Sequence, residues 1–91
     1  MDMTKFELVT PESLLCSQDV GMVVVPANEG NMGVLPRQAP TIATLRDGEI
    51  CLYDKGLAGG ISKRFSVKGG FVEVTPTRCV VLCEQAEEIT A

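Results

Sequence analysis

The chain has no histidine and no tryptophan, and its aromatic residues are three phenylalanines and one tyrosine. Without histidine the usual general base near neutral pH is missing, a Ser–His–Asp arrangement is impossible, and zinc loses its commonest nitrogen ligand. With so few aromatics, Val, Leu and Ile must fill the core. Basic charge is also short: 8 Lys and Arg stand against 12 Asp and Glu, a net charge of −4. Nucleic acid and anionic membrane surfaces both need a basic field, so neither is expected as a direct partner. The one small basic cluster, Lys63, Arg64 and Lys68, reads as a solvated strand face. No apolar run approaches the ~20 residues of a membrane helix, which argues against direct membrane insertion. The start, MDMTK, lacks the basic-then-apolar profile of a signal peptide, and a cytosolic domain is expected.

Four cysteines are present: Cys16, Cys51, Cys79 and Cys83. Disulfides are rare in a reducing cytosol. On a strand, the spacing of Cys79 and Cys83 points both thiols to one face about 13 Å apart, at roughly 3.3 Å per residue. Sulfurs that far apart share neither an ion nor a disulfide. All four are expected to act as small buried hydrophobes, with no metal or cofactor.

Ninety-one residues support one domain with one core. A hydrophobic content of 45% is that of a folded chain. Short β-type runs separated by turn residues cover it. Residues 5–10 alternate and stop at Pro11; 13–16 form a brief second run, with 17–19 as a turn; 20–25 read as one continuous strand. Residues 41–45 end at the turn signal Arg46-Asp47-Gly48. Residues 49–54 and 62–68 are joined across 55–60, then 71–75, 78–84 and a short 87–90 follow. Only 11–16 shows a brief helical tendency. Regular short strands with Gly and Pro between them indicate an all-β sandwich or barrel, one unit over residues 1–91.

The most informative stretch is MVVVPANEGNMGVLPRQAP at 22–40. Two apolar runs, 22–25 and 32–35, flank a polar loop bounded by Gly30 and Gly33, and a proline follows each run. This is the pattern of a buried strand, a tight presenting loop and a second strand. The loop at 28–31, with Arg37 and Gln38 beyond the second run, is the segment best shaped to meet another molecule. Val23, Val25 and residues 80–82 read as core, with the possibility of one apolar edge for a partner.

Catalysis finds no support. Glu87 and Glu88 would point to opposite faces of a strand, and the pairs Gly59-Gly60 and Gly69-Gly70 lack the Lys-Ser/Thr of a phosphate-binding loop. Arg78, the neighbour of Cys79, would face the other way. From the residues alone the expectation is a non-catalytic β-sandwich that works by binding protein.

Five segments in order carry a family resemblance: KFELVTPE (5–12), VVVPANEG (23–30), GVLP (33–36), AP (39–40) and GGFVEVTP (69–76). Together they resemble the epsilon subunit of F-type ATP synthase, from about residue 5 onward. The resemblance implies a flattened β-sandwich of two five-stranded antiparallel sheets. It also implies a place at the foot of the central rotor stalk, on the cytoplasmic side of the energy-transducing membrane and held there through the complex. There the domain grips the gamma subunit, rests on the polar loops of the c-ring, and couples proton translocation to ATP synthesis without an active site. The family's ring-contacting Glu-Gly-x-x-Gly stretch is Glu29, Gly30, Asn31, Met32 and Gly33 here, and the ring-facing set includes Arg37 and Gln38.

The chain departs from the family pattern at Ala27, where Gly is usual, at Arg37-Gln38, where Gly-His is common, and at Asn31, a position often acidic. Family members commonly continue into a C-terminal helical hairpin that inhibits hydrolysis. The sequence stops at Ala91, so a chain without that element or a nucleotide site is expected. Two alternative readings are a regulator of ATPase activity and a cysteine-based redox or metal-binding β-domain.

Overall fold

Alternation of apolar and polar residues over short runs gives ten strands in the computed structural model, which describes residues 2–89. One sheet holds β1 (Thr4–Val9), β2 (Leu14–Val20), β5 (Thr41–Thr44), β8 (Phe71–Thr75) and β9 (Arg78–Leu82), in the order β2-β1-β9-β8-β5. The other holds β3 (Met22–Ala27), β4 (Gly30–Val34), β6 (Gly48–Tyr53), β7 (Lys63–Lys68) and β10 (Gln85–Glu88), in the order β10-β7-β6-β3-β4. The fold is therefore the expected sandwich of two five-stranded sheets.

Each strand turns alternate side chains into the space between the sheets. Phe6, Leu8, Cys79, Val81, Val72 and Val74 enter from the first sheet, and Val23, Val25, Ile50, Leu52, Phe65 and Val67 from the second. Phe6 and Phe65 meet across it with ring centroids 6.4 Å apart. Burying such side chains is worth roughly 1.5–3 kcal/mol each, and this aliphatic layer holds the fold.

Five expectations need correction. The first sheet is mixed, because β1 and β9 run parallel from Lys5↔Arg78 to Val9↔Leu82. The two strands are distant in sequence, so no hairpin turn forces them antiparallel. Residues 17–19 are not a turn: β2 runs on to Val20, and β1 supplies its ladder through Glu7↔Ser17 and Phe6↔Gln18. The apolar run at 20–25 is not one strand. It breaks at Gly21, where the chain crosses between sheets and where a Cβ would lie 2.6 Å from the Gly56 nitrogen. Residues 11–16 are not helical; the only helical turn among the described residues is the 3-10 turn Leu57–Gly59 between β6 and β7. The last strand sits slightly earlier than expected, and Thr90 lies outside the described residues. No helix among them is long and apolar enough to cross a membrane.

Candidate functional site

The hairpin from β3 to β4 is as tight as a hairpin becomes. Ala27 pairs with Gly30, leaving Asn28 and Glu29 as the turn. Among the described non-glycine residues only Arg37 has a positive φ, so Gly30, at φ 134°, takes up the twist that side-chain-bearing residues resist.

This tip is not free-standing. The Asn28 backbone N–H donates to the Thr44 carbonyl at 3.0 Å, and Asn28 Nδ2 donates to Thr44 Oγ1 at 2.7 Å. Ala27 bridges Leu45, the Arg46 N–H donates to the Pro26 carbonyl at 2.9 Å, and Arg46 Nη2 donates to Asn31 Oδ1 at 2.6 Å. The Leu45 N–H donates in turn to the Gly70 carbonyl at 2.9 Å, so segment 44–46 ties the tip to the start of β8 in the opposite sheet. Glu29 stands exposed at the apex. The ion pairs among the described residues are Arg37–Asp2, Arg64–Glu49 and Arg78–Glu7, which leaves its carboxylate unpaired.

The residues expected to face a partner do not all gather there. Glu29, Gly30 and Asn31 form the exposed tip. Met32, paired with Val25, is half-buried and packs against the core. Arg37 and Gln38 lie past the far end of β4, roughly 17 Å away at about 3.4 Å per residue over that strand. There the Arg37 N–H donates to the Pro76 carbonyl at 2.8 Å, its side chain pairs with Asp2 at 3.3 Å, and Gln38 Oε1 accepts from the Leu35 N–H at 2.7 Å. Thr44 and Arg46, which complete the tip, have no local signal in the sequence. Arg46 reads only as the start of a turn, since its contact with Asn31 exists only once two sheets have formed.

A second surface lies on the outer side of the first sheet. Phe71, 42% exposed, stands opposite Leu82, and Leu82 opposite Val9. Leu14, 54% exposed, stands opposite Val9 and continues this apolar row, whereas Ile42 on edge strand β5, 69% exposed, stands opposite Glu73. Val80 and Leu82 thus face outward half-buried, whereas Val23, Val25 and Val81 are core.

The cysteines are free thiols; Cys16, Cys79 and Cys83 are buried, while Cys51, expected to be buried, is half-exposed. Burial pushes the Cys79 thiol up to about 12 and raises the other three as well. A protonated thiol is neither a nucleophile nor a metal ligand. Among the described residues no three Cys, Asp or Glu side chains gather as a metal site.

With this geometry in hand, the comparisons with known proteins are specific. The family described as "ATP synthase, Delta/Epsilon chain, beta-sandwich domain" matches residues 3–89. The ATP synthase epsilon chain of Rhodospirillum centenum is 52% identical over 90 residues, covering 99% of this chain and 61% of that protein. The ATP synthase epsilon chain of Rhodospirillum rubrum is 47% identical over 88 residues, covering 97% and 63%. The chain thus spans about three-fifths of the length of these relatives. Among solved structures, a chain of the Euglena gracilis mitochondrial ATP synthase OSCP/F1/c-ring assembly superposes with a TM-score of 0.83 at 22% identity, covering 94% of this chain and 53% of that one. A chain of the Tetrahymena thermophila ATP synthase central stalk/c-ring gives 0.74 at 16% identity, covering 92% and 65%. These two likenesses show the shared fold. On the family match and the close relatives, the chain belongs to the delta/epsilon-chain β-sandwich family of ATP synthase.

Proposed function

We propose that this sandwich is a non-catalytic rotor component of the ATP synthase central stalk, bridging the gamma subunit and the polar loops of the membrane c-ring. The observation that carries the reading is the presence of two unlike surfaces on one rigid body. The polar tip at Glu29, Gly30 and Asn31 suits the ring's polar loops, because directional hydrogen bonds and charges resist sliding. The apolar outer row of Phe71, Leu82, Val9 and Leu14 suits gamma, because a lasting grip needs buried apolar area. Arg37 and Gln38 serve the turn at 35–38 and stand apart from the tip. Torque then passes through the sandwich as a solid, and the domain stays peripheral to the membrane, on the cytoplasmic side, through its partners. The names of the relatives and the assemblies holding its structural neighbours support this reading.

The test is reconstitution. Added to ATP synthase stripped of its own subunit of this family, the chain is expected to restore ATP-driven proton pumping. A changed rate of ATP hydrolysis with pumping unrestored would instead make it a regulator.

A further inference from the structure

We propose that Arg46 is a positioning residue for the polar tip, and that the ring-facing surface is a composite of the β3–β4 turn and segment 44–46. This rests on reading the tip as the ring contact.

Three observations converge on Arg46. Its backbone is fixed by the bond to the Pro26 carbonyl, and its neighbour Leu45 by the bond to the Gly70 carbonyl, so the side chain starts from an immobile point. Its guanidinium passes over Gly48: a Cβ there would lie 3.1 Å from Arg46 Nη1 and 2.9 Å from Pro26 Cβ, so a larger residue at 48 would crowd it. It ends on Asn31 Oδ1 at 2.6 Å, a short charge-assisted bond.

That bond determines what Asn31 presents. With Oδ1 held by Arg46, the amide cannot flip without losing a charged donor, and Nδ2 is turned away with no partner among the described residues. Asparagine also holds the guanidinium without cancelling its charge, as an aspartate would. The apex therefore offers a carboxylate at Glu29, an oriented amide donor at Asn31 and an uncompensated cation at Arg46. A loop that fits it carries a cation opposite Glu29 and a carboxylate or carbonyl opposite Arg46.

The experiment measures binding to detergent-solubilised c-ring for the unmodified chain and for Glu29→Ala, Arg46→Ala, Arg46→Lys, Asn31→Ala and the Arg46→Ala/Asn31→Ala double variant, with gamma affinity measured alongside. Arg46→Ala is expected to weaken ring binding about tenfold, the loss of one charged hydrogen bond. The double variant should be less impaired than the two single losses multiplied, Arg46→Lys should recover only part of the loss, and gamma affinity should not move. Normal ring binding by Arg46→Ala beside impaired binding by Glu29→Ala overturns the role of Arg46 while keeping the tip as the contact. Normal binding by both overturns the ring contact itself. The positioning is then decided by the Asn31 side-chain amide resonances, which Arg46→Ala is expected to shift and average; unchanged resonances overturn it.

Discussion

The two ends of β4 carry nearly the same sequence signal and use it in opposite ways. Each is a polar turn beside an apolar run, with proline close by: VVVPANEG before the strand, VLPRQAP after it. The first turn is fixed from outside, by Thr44, Leu45 and Arg46, and its apical carboxylate is left unpaired. The second is closed by Gln38 and tied to Pro76 through the Arg37 N–H, and its charge at Arg37 is partnered by Asp2. Both turns are anchored by residues distant in sequence; they differ in that the first leaves a charge free at its apex, whereas the second has its charge paired.

The contrast can be broken most severely at Gly70, whose carbonyl anchors Leu45 behind the tip. Its φ is 106°, and an added Cβ would lie 2.0 Å from the Leu82 carbonyl oxygen. Gly70→Ala is expected to cost about 3 kcal/mol in urea unfolding, through backbone strain and steric clash. It should abolish ring and gamma binding together.

Next in size is an alkaline limb that the core imposes on both ends alike. Burial raises the folded pKa of Cys79 from 9.0 to about 12. Below pH 9 the thiol is protonated folded and unfolded, and this stabilisation is fully present. Above pH 9 the unfolded chain loses the proton and the folded chain does not, so stability falls as pH rises toward 12. In melts from pH 8 to 11, Cys79→Val should show a shallower decline than the unmodified chain; parallel declines would contradict the burial of that thiol.

At the tip, Asn28→Ala removes the 2.7 Å bond to Thr44 and is expected to cost about 1 kcal/mol, with faster amide exchange at Thr44 and Leu45. At the opposite turn, Gln38→Ala removes a single bond to the Leu35 amide and should cost about 0.5–1 kcal/mol without altering ring binding. Smallest of all, Asp2→Ala breaks an ion pair whose side chains are 77% and 62% exposed, and should cost well under about 1 kcal/mol. If Gln38→Ala impaired the ring contact as much as Glu29→Ala, the two turns would not differ as described.

Much of the fold is legible in the sequence because strand alternation and turn residues are local signals. The runs at 5–10, 49–54, 62–68 and 71–75 became strands within a residue or two, whereas the loop expected at 28–31 is a two-residue turn at Asn28-Glu29, because Gly30 and Asn31 already pair with Ala27 and Pro26 in the ladder. What was not legible depends on neighbours. Ser17 and Asp19 have turn chemistry, yet they sit in β2 because β1 offers them a ladder. Gly21 is hidden inside an apolar run and splits it, because the chain must change sheets there. The candidate tip divides likewise: Glu29 and Asn31 stand at the turn their sequence marks, β4 separates Arg37 and Gln38 from it, and Thr44 and Arg46 reach it only through the tertiary structure.

The most direct test of bridging is whether the chain binds purified gamma subunit and detergent-solubilised c-ring at the same time, read by size-exclusion chromatography with light scattering. Coelution of all three, with one chain per ring, is the expected result. Mutually exclusive binding, with gamma displacing the ring, would contradict a body that carries torque between two partners through separate surfaces.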